Sequence, residues 1–212
     1  MEKKTFVVIG AGPGLGNHIA KEFASHGFRI VLASRSEAKL KDYCLEFRQQ
    51  GFNDVSYAVL DCSDNTSIQN ALRAAGHVDV LVYNTAVMEG KGPFAMSPQE
   101  LLDRYQTDVA GALCAVQEVV PAMRKKNDGA ILFTGGGLAL SPMAAAASMS
   151  MHKAALRNLA LLLNEDLKKD NIYCGIVNIR GMVGGSEHYA PGTIAKLYYQ
   201  LYEKRDQAEI TY

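Results

Sequence analysis

Within seven residues the chain reads Gly10-Ala11-Gly12-Pro13-Gly14-Leu15-Gly16. Glycines let a backbone approach a pyrophosphate closely, and the N–H groups at the start of a following helix favour its negative charge. The β-branched run Thr5–Ile9 comes before it, and Ile19, Ala20 and Phe23 share one helical face after it, so the order is strand, turn, helix. Spacing selects the type of turn. A GxGxxG pattern needs glycine where Leu15 stands, whereas Gly10, Gly14 and Gly16 satisfy GxxxGxG. The competing reading is a tight turn that needs positive φ and nothing more. Its position after the first strand of a repeating β-α pattern favours a nucleotide site.

The elements that would carry such a site alternate along the whole chain. Seven strands are expected, at 5–9, 29–33, 55–60, 78–83, 130–134, 173–179 and, weakly, 209–212. Six helical segments fill the gaps, the clearest at 15–26, 36–50, 98–126 and 148–168, with apolar residues recurring at three and four. Strands apolar on both faces, such as Val78 to Tyr83, suit a parallel sheet covered on both sides. The prediction is therefore α/β: a Rossmann-type, doubly wound parallel sheet of about seven strands with helices on both faces, forming a single domain over 1–212. Composition breaks only at 90–98 and 181–192, rich in Gly, Pro and polar residues. Both are expected as loops at the carboxyl ends of strands, where such sheets hold ligands.

Composition narrows the classes of partner. Of 212 residues, 48% are hydrophobic and 21% charged, and 22 Lys plus Arg balance 22 Asp plus Glu. A neutral chain carries no electrostatic footprint for nucleic acid or an anionic membrane. Its apolar runs are far shorter than the roughly 20 residues of a membrane span, and Met1-Glu2-Lys3-Lys4 does not resemble a secretory leader, so a cytoplasmic protein is expected. Four cysteines, at 44, 62, 114 and 174, form no CxxC pair and have no His at ligand spacing, so they read as buried thiols with no metal site.

GxxxGxG after an N-terminal strand resembles the short-chain dehydrogenase/reductase family, and further matches lie in register through most of the chain. Members of that family specific for NAD carry an acid at the end of the second strand. Here that position is Ser34, followed by Arg35, and a guanidinium suits a 2′-phosphate, so the resemblance implies NADP(H) rather than NAD(H). It also implies cofactor contacts at Gly10, Gly12, Pro13, Gly14, Leu15 and Gly16 of the turn, at Asp61 and Cys62 after the third strand, and at Asn84 and Thr85 after the fourth. Lys153, Gly181 and Val183 complete the implied cofactor set, with a substrate loop at about 181–192 that is shorter than usual in the family.

The family's chemistry uses a Tyr four residues before a Lys on one helix, a Ser that polarises the carbonyl, and an Asn that positions water. In this chain the Lys is Lys153, but the Tyr position is Met149, the Ser position falls on Gly136, and the Asn position is Asp108. A thioether cannot donate a proton. The resemblance therefore points to a divergent branch, with Lys153 retained, Asp108 as a remnant, and Tyr83, Tyr105, His152 or His188 as substitute donors. Asp108 is expected to pair with Lys153. His152, about 100° around the helix from Lys153, is expected at a surface or interface. Met88, Met96, Met143, Met149, Met151 and Met182 fall near the implied cofactor, either as an apolar pocket or as ordinary packing. A homodimer or homotetramer through 98–126 and 148–168 is implied. Two functions fit: an oxidoreductase on an unidentified carbonyl or alcohol, or a non-catalytic NADP(H)-binding sensor or assembly partner.

Overall fold

Alternation along each strand sends its side chains to two separate layers of helix. In the computed structural model, which describes residues 3–87 and 90–212, β1 (Thr5–Ile9), β2 (Arg29–Ser34), β3 (Val55–Val59), β4 (Val80–Tyr83), β5 (Gly129–Gly136), β6 (Ile172–Ile179) and β7 (Glu209–Thr211) form one sheet. The order is β3-β2-β1-β4-β5-β6-β7, and every neighbouring pair runs parallel. The helices are α1 (Leu15–Ser25), α2 (Glu37–Gln49), α3 (Asn65–Ala75), α4 (Pro98–Tyr105), α5 (Gly111–Lys126), α6 (Ala147–Leu167) and α7 (Pro191–Lys204). Phe6 and Val8 of β1 pack with α1, α2 and α7 through Phe23, Leu40 and Tyr198. Val7 and Ile9 face the other way, onto Ile68, Val116 and Leu156 of α3, α5 and α6. This is the doubly wound sheet expected from the sequence. Its chain order reverses between β1 and β4, which opens a crevice at their carboxyl ends.

Two elements differ from expectation in ways that shape the site. The single helix expected over 98–126 is divided by one π-helical turn, Gln106–Ala110. The Tyr83 hydroxyl donates to the Thr107 carbonyl at 2.5 Å. Gly111 sits so close that a Cβ there would lie 2.5 Å from the Cys62 carbonyl oxygen. These contacts hold the wide turn against β4, as π turns often are at functional sites. The fifth strand also extends through Gly136, because Gly135 and Gly136 continue the ladder opposite Asn178 and Ile179. Gly135 leaves room for the buried Asn178 side chain, whose oxygen would be 2.0 Å from a Cβ at that position.

At the opposite end of the sheet, buried Asp79 fixes three elements. Its carboxylate accepts from the Thr5 N–H at 2.7 Å and from Lys126 Nζ at 2.6 Å, tying β1 and the end of α5 to the entry of β4. Burial opposes the charge, but the Lys126 ammonium and the Thr5 amide outweigh it, and the carboxyl titrates below its ordinary value. Asp79→Ala leaves the buried Thr5 amide without its acceptor, while the Lys126 ammonium, 49% exposed, returns to water. It is expected to lower stability by about 2 kcal/mol in urea denaturation; a loss under about 0.5 kcal/mol would show that the carboxylate does not hold these elements together.

Candidate active site

The glycine turn is built by close backbone approach. Gly10 has φ of +95°, and its N–H and that of Ala11 both donate to the Ala33 carbonyl, at 2.9 and 3.0 Å. Gly16 lies against the turn, where a Cβ would be 2.3 Å from the Gly10 oxygen. Gly12 and Gly14 face open space, and Pro13 is exposed between them. Leu15 is buried and anchors the first turn of α1, which has no side-chain cap and no acidic residue. The N–H groups at this helix start are therefore offered to an anion with no carboxylate to repel it.

Beside the turn lies a cavity of about 470 Å³, whose wall includes Gly10, Ser34, Arg35, Asp61, Asn84 and Thr85. Cys62, Val87 and Thr107 also line it. Ser34 is half-buried and Arg35 exposed at its edge. Ser36, next along, caps α2 through Lys39 N–H, so the cap is already supplied without Arg35. The Asp61 carboxylate accepts the Ser63 N–H and hydroxyl, at 2.9 and 2.8 Å. These bonds hold its carboxyl below the ordinary range, the amide contributing most. Burial pushes the Cys62 thiol up to about 11, so it stays neutral. Cationic Arg35, an ionised Asp61 and an open glycine turn suit a ligand with phosphates at two places and ribose hydroxyls between them.

Around Lys153 the structure redraws the expected partners. Lys153 is 8% exposed and donates from Nζ to the Thr134 carbonyl at 2.7 Å. Asp108 is not in an ion pair with it. The π turn carries Asp108 to the flank of α6, where Oδ2 meets His152 Nδ1 at 2.9 Å and Oδ1 accepts the Val87 N–H at 2.9 Å. His152 is consequently a buried residue, 1% exposed, not a surface one. Its Nε2 is buried with no hydrogen-bond partner among the described residues, and the Tyr105 ring stands edge-on to the imidazole, 5.7 Å between ring centres. Desolvation pushes the Lys153 ammonium down to about 8, against a smaller upward pull from the Asp108 charge.

The other expected residues fall in three groups. Tyr83 is fully buried, and burial pushes its phenol far above the ordinary value, so its hydroxyl is a structural donor to Thr107. Met149 is half-buried one turn before Lys153 on α6, and Gly136 lies under the lysine stem, where a Cβ would be 3.5 Å from Cγ. Gly181 and Val183 lie after β6, outside the wall of the cavity. Gly181 makes room for the Tyr189 ring, and His188 stacks on Tyr212 at 4.4 Å. Met143 and Met182 are exposed on loops after β5 and β6, and Met88 lies outside the described residues. Sequence reasoning missed Thr134 and Tyr198. The Thr134 hydroxyl donates to Asn84 Oδ1 at 2.8 Å and lies 2.8 Å from the Tyr198 hydroxyl. No local pattern marks either residue, because their partners are 50 and 64 positions away.

An unfolded lysine binds its proton below about 10.5, and this one, folded, only below about 8. The buried charge therefore weakens the fold as pH falls from 10.5 to 8, and its cost is complete below 8. Lys153→Met keeps the stem and removes the charge. Its stability relative to the parent protein is expected to be about 2 kcal/mol more favourable at pH 7 than at pH 10 in urea denaturation. The same difference at both pH values would mean that the ammonium is hydrated.

A family model described as short chain dehydrogenase matches residues 4–187. Human Short-chain dehydrogenase/reductase 3 is 29% identical over 160 residues, covering 73% of this chain and 53% of that protein. The very-long-chain 3-oxoacyl-CoA reductase of Pyricularia oryzae is 31% identical over 174 residues, 78% of this chain and 52% of the relative. The chain thus spans about half the length of these curated relatives. Among solved structures, a metagenomic short-chain oxidoreductase in complex with NADP superposes with a TM-score of 0.88 at 26% identity, covering 99% of this chain and 96% of that one. With a match reaching from the first strand past the sixth, over the glycine turn and Lys153 alike, the chain belongs to the short-chain dehydrogenase family.

Proposed function

We propose that this protein binds NADP(H), in preference to NAD(H), and interconverts a carbonyl and an alcohol without the family's usual tyrosine. The observation that carries this reading is the cavity in which the glycine turn, Ser34, Arg35, Asp61 and Asn84 meet. A carboxylate at the end of β2 would repel a 2′-phosphate; Ser34 does not, and Arg35 offers a paired donor. The solved metagenomic relative holds NADP on the same fold. When bound, a reduced nicotinamide supplies a hydride to a carbonyl carbon and is oxidised as the carbonyl becomes an alcohol. The chain's own part is to hold the phosphates on the N–H groups of α1, the adenosine end between Arg35 and Asp61, and a proton near the reacting oxygen.

On this reading Met149 stands in the place of the family's tyrosine and Gly136 in that of its serine. The same two residues favour a second reading, a non-catalytic NADP(H)-binding module, because neither can donate a hydrogen bond from its side chain. Exposed Leu102, Leu113, Met151 and Leu162 on α4 to α6 support assembly as a homodimer or homotetramer through those helices.

Arg35→Ala is expected to weaken NADPH about 10- to 100-fold and NADH less than about threefold, measured by calorimetry. Equal losses would remove the preference for NADPH. Gly136 accepts a side chain, since a Cβ there makes only ordinary contacts with Lys153. Met149→Tyr combined with Gly136→Ser is therefore expected to raise NADPH-dependent reduction of a panel of aldehydes, ketones and quinones by at least about 10²-fold. An unchanged rate, with NADPH affinity intact, would favour the non-catalytic module.

A further inference from the structure

We infer that Tyr212 is a latch on the segment between β6 and α7, residues 181–190, and that its release gates the entry and exit of the nucleotide. This inference rests on the nucleotide reading above and adds to it a positioning residue outside the cavity. The segment joins the two halves of the proposed site along the carboxyl edge of the sheet. At its start, Arg180 packs against Gly137, where a Cβ would be 2.9 Å from the Arg180 α-carbon, and Gly137 directly follows the Gly136 that carries the Lys153 stem. At its end, a Cβ on Gly192 in the first turn of α7 would lie 4.0 Å from the His18 ring. His18 Nδ1 in turn donates to the Gly14 carbonyl of the glycine turn at 2.6 Å.

One side chain holds the segment in place. Among the described residues, every hydrogen bond from residues 181–189 to another element goes to Tyr212. The Tyr212 hydroxyl donates to the His188 carbonyl at 2.9 Å, and its ring stacks on the His188 imidazole at 4.4 Å and 15°. Tyr189 meets the same ring edge-on at 5.9 Å. It fits because Gly181 is bare, since a Cβ there would be 2.1 Å from the Tyr189 ring. Tyr212 itself is fixed to the sheet through its backbone, its N–H on the Asn178 carbonyl at 2.9 Å and its carbonyl on the Arg180 N–H at 2.7 Å. The remaining bonds of the segment are internal: Gly184 N–H to the Tyr189 carbonyl, Gly185 N–H to that of Met182 and Ala190 N–H to that of Glu187. They give it a shape but no attachment, and Val183 and Tyr189 add only partial apolar packing. A segment held by one hydrogen bond and one ring stack opens far more readily than the sheet beside it.

A latch of this kind changes a rate and not an affinity. Tyr212, His188 and Tyr189 stand outside the wall of the cavity, so releasing them changes how often the edge is open without removing a contact to the phosphates or the adenosine. Entry and exit then accelerate by the same factor and their ratio is kept. A residue that touched the nucleotide would instead change the affinity.

The test uses the whole chain and three variants. Hydrogen exchange at the Gly184, Gly185 and Ala190 amides of the free protein, read by NMR, should rise about 3- to 10-fold in Tyr212→Phe, which loses the hydrogen bond. It should rise about 10- to 100-fold in Tyr212→Ala, which loses the stack as well, while exchange in β1 and α1 stays at the parent values. Gly181→Ala leaves Tyr212 intact and unseats Tyr189, and should speed the same amides at least about threefold. In stopped-flow NADPH fluorescence, Tyr212→Ala should associate and dissociate faster by one common factor of at least about three, with Kd within about twofold of the parent. Unchanged exchange at the three amides in Tyr212→Ala would overturn the latch, and so would a rise shared equally by β1 and α1. Faster exchange with unchanged NADPH rates, or a Kd shift carried by one rate alone, would overturn the gate. Failure of the parent protein to bind NADPH in calorimetry would instead overturn the cofactor reading, while the latch is still read from exchange in the free protein.

Discussion

The Gly10 carbonyl oxygen is where the carboxyl edge of the sheet is tied together. Positive φ at Gly10 turns it toward α1, and the bare Gly16 backbone lies against it. Asn84 donates to it from Nδ2 at 3.0 Å, and Asn84 Oδ1 in turn accepts from the Thr134 hydroxyl. That hydroxyl has one hydrogen, already given to Asn84, so the Tyr198 hydroxyl must be the donor to it. One line of hydrogen bonds thus runs from α7 through β5 and β4 to the glycine turn. Thr134 also offers its carbonyl to Lys153, so the glycine turn and the lysine share a single residue. In a buried setting such a chain strengthens when complete and is costly when any member is lost.

The two ends of the sheet treat buried charge in opposite ways. At the amino ends, Asp79 is saturated by an amide and an ammonium in direct contact, and a pair of this kind serves the fold. At the carboxyl ends, Lys153 has a backbone carbonyl and, among the described residues, no carboxylate in contact, although Asp108 is close enough to act on it through space. Stability alone favours the first arrangement. A cation left without a direct counter-ion costs folding free energy, and strain of this sort gathers where chemistry is done.

The sheet was legible because strand alternation is a local signal. Val7 and Ile9 against Phe6 and Val8 already separate the two helical layers, and the glycine spacing placed the turn correctly. Arg35 and Asp61, which the family resemblance implied, both line the crevice. What stayed hidden depends on distant contacts. His152 reads as a surface residue on a regular helix. It becomes buried only because a π turn, which leaves no mark in apolar periodicity, swings Asp108 onto its flank. The same displacement dissolves the Asp108–Lys153 ion pair expected from the sequence. The expected fifth strand stops at Thr134, yet pairing with β6 carries it on through Gly135 and Gly136, because glycine's freedom is overruled by a neighbour's free N–H and C=O groups.

On the proposed reading, Met149 and Gly136 are coupled to Lys153 and not two independent losses. A phenol at 149 or a hydroxyl at 136 would give the ammonium a polar neighbour and help to keep its charge. A thioether and a bare α-carbon give it none, and burial then dominates the lysine's acidity. The Asp108–His152 pair limits how far this goes. The Asp108 charge pulls the lysine back toward its ordinary value, less strongly than burial pushes it down. His152 and the Val87 amide fix that carboxylate where it acts on Lys153 through space and not by contact.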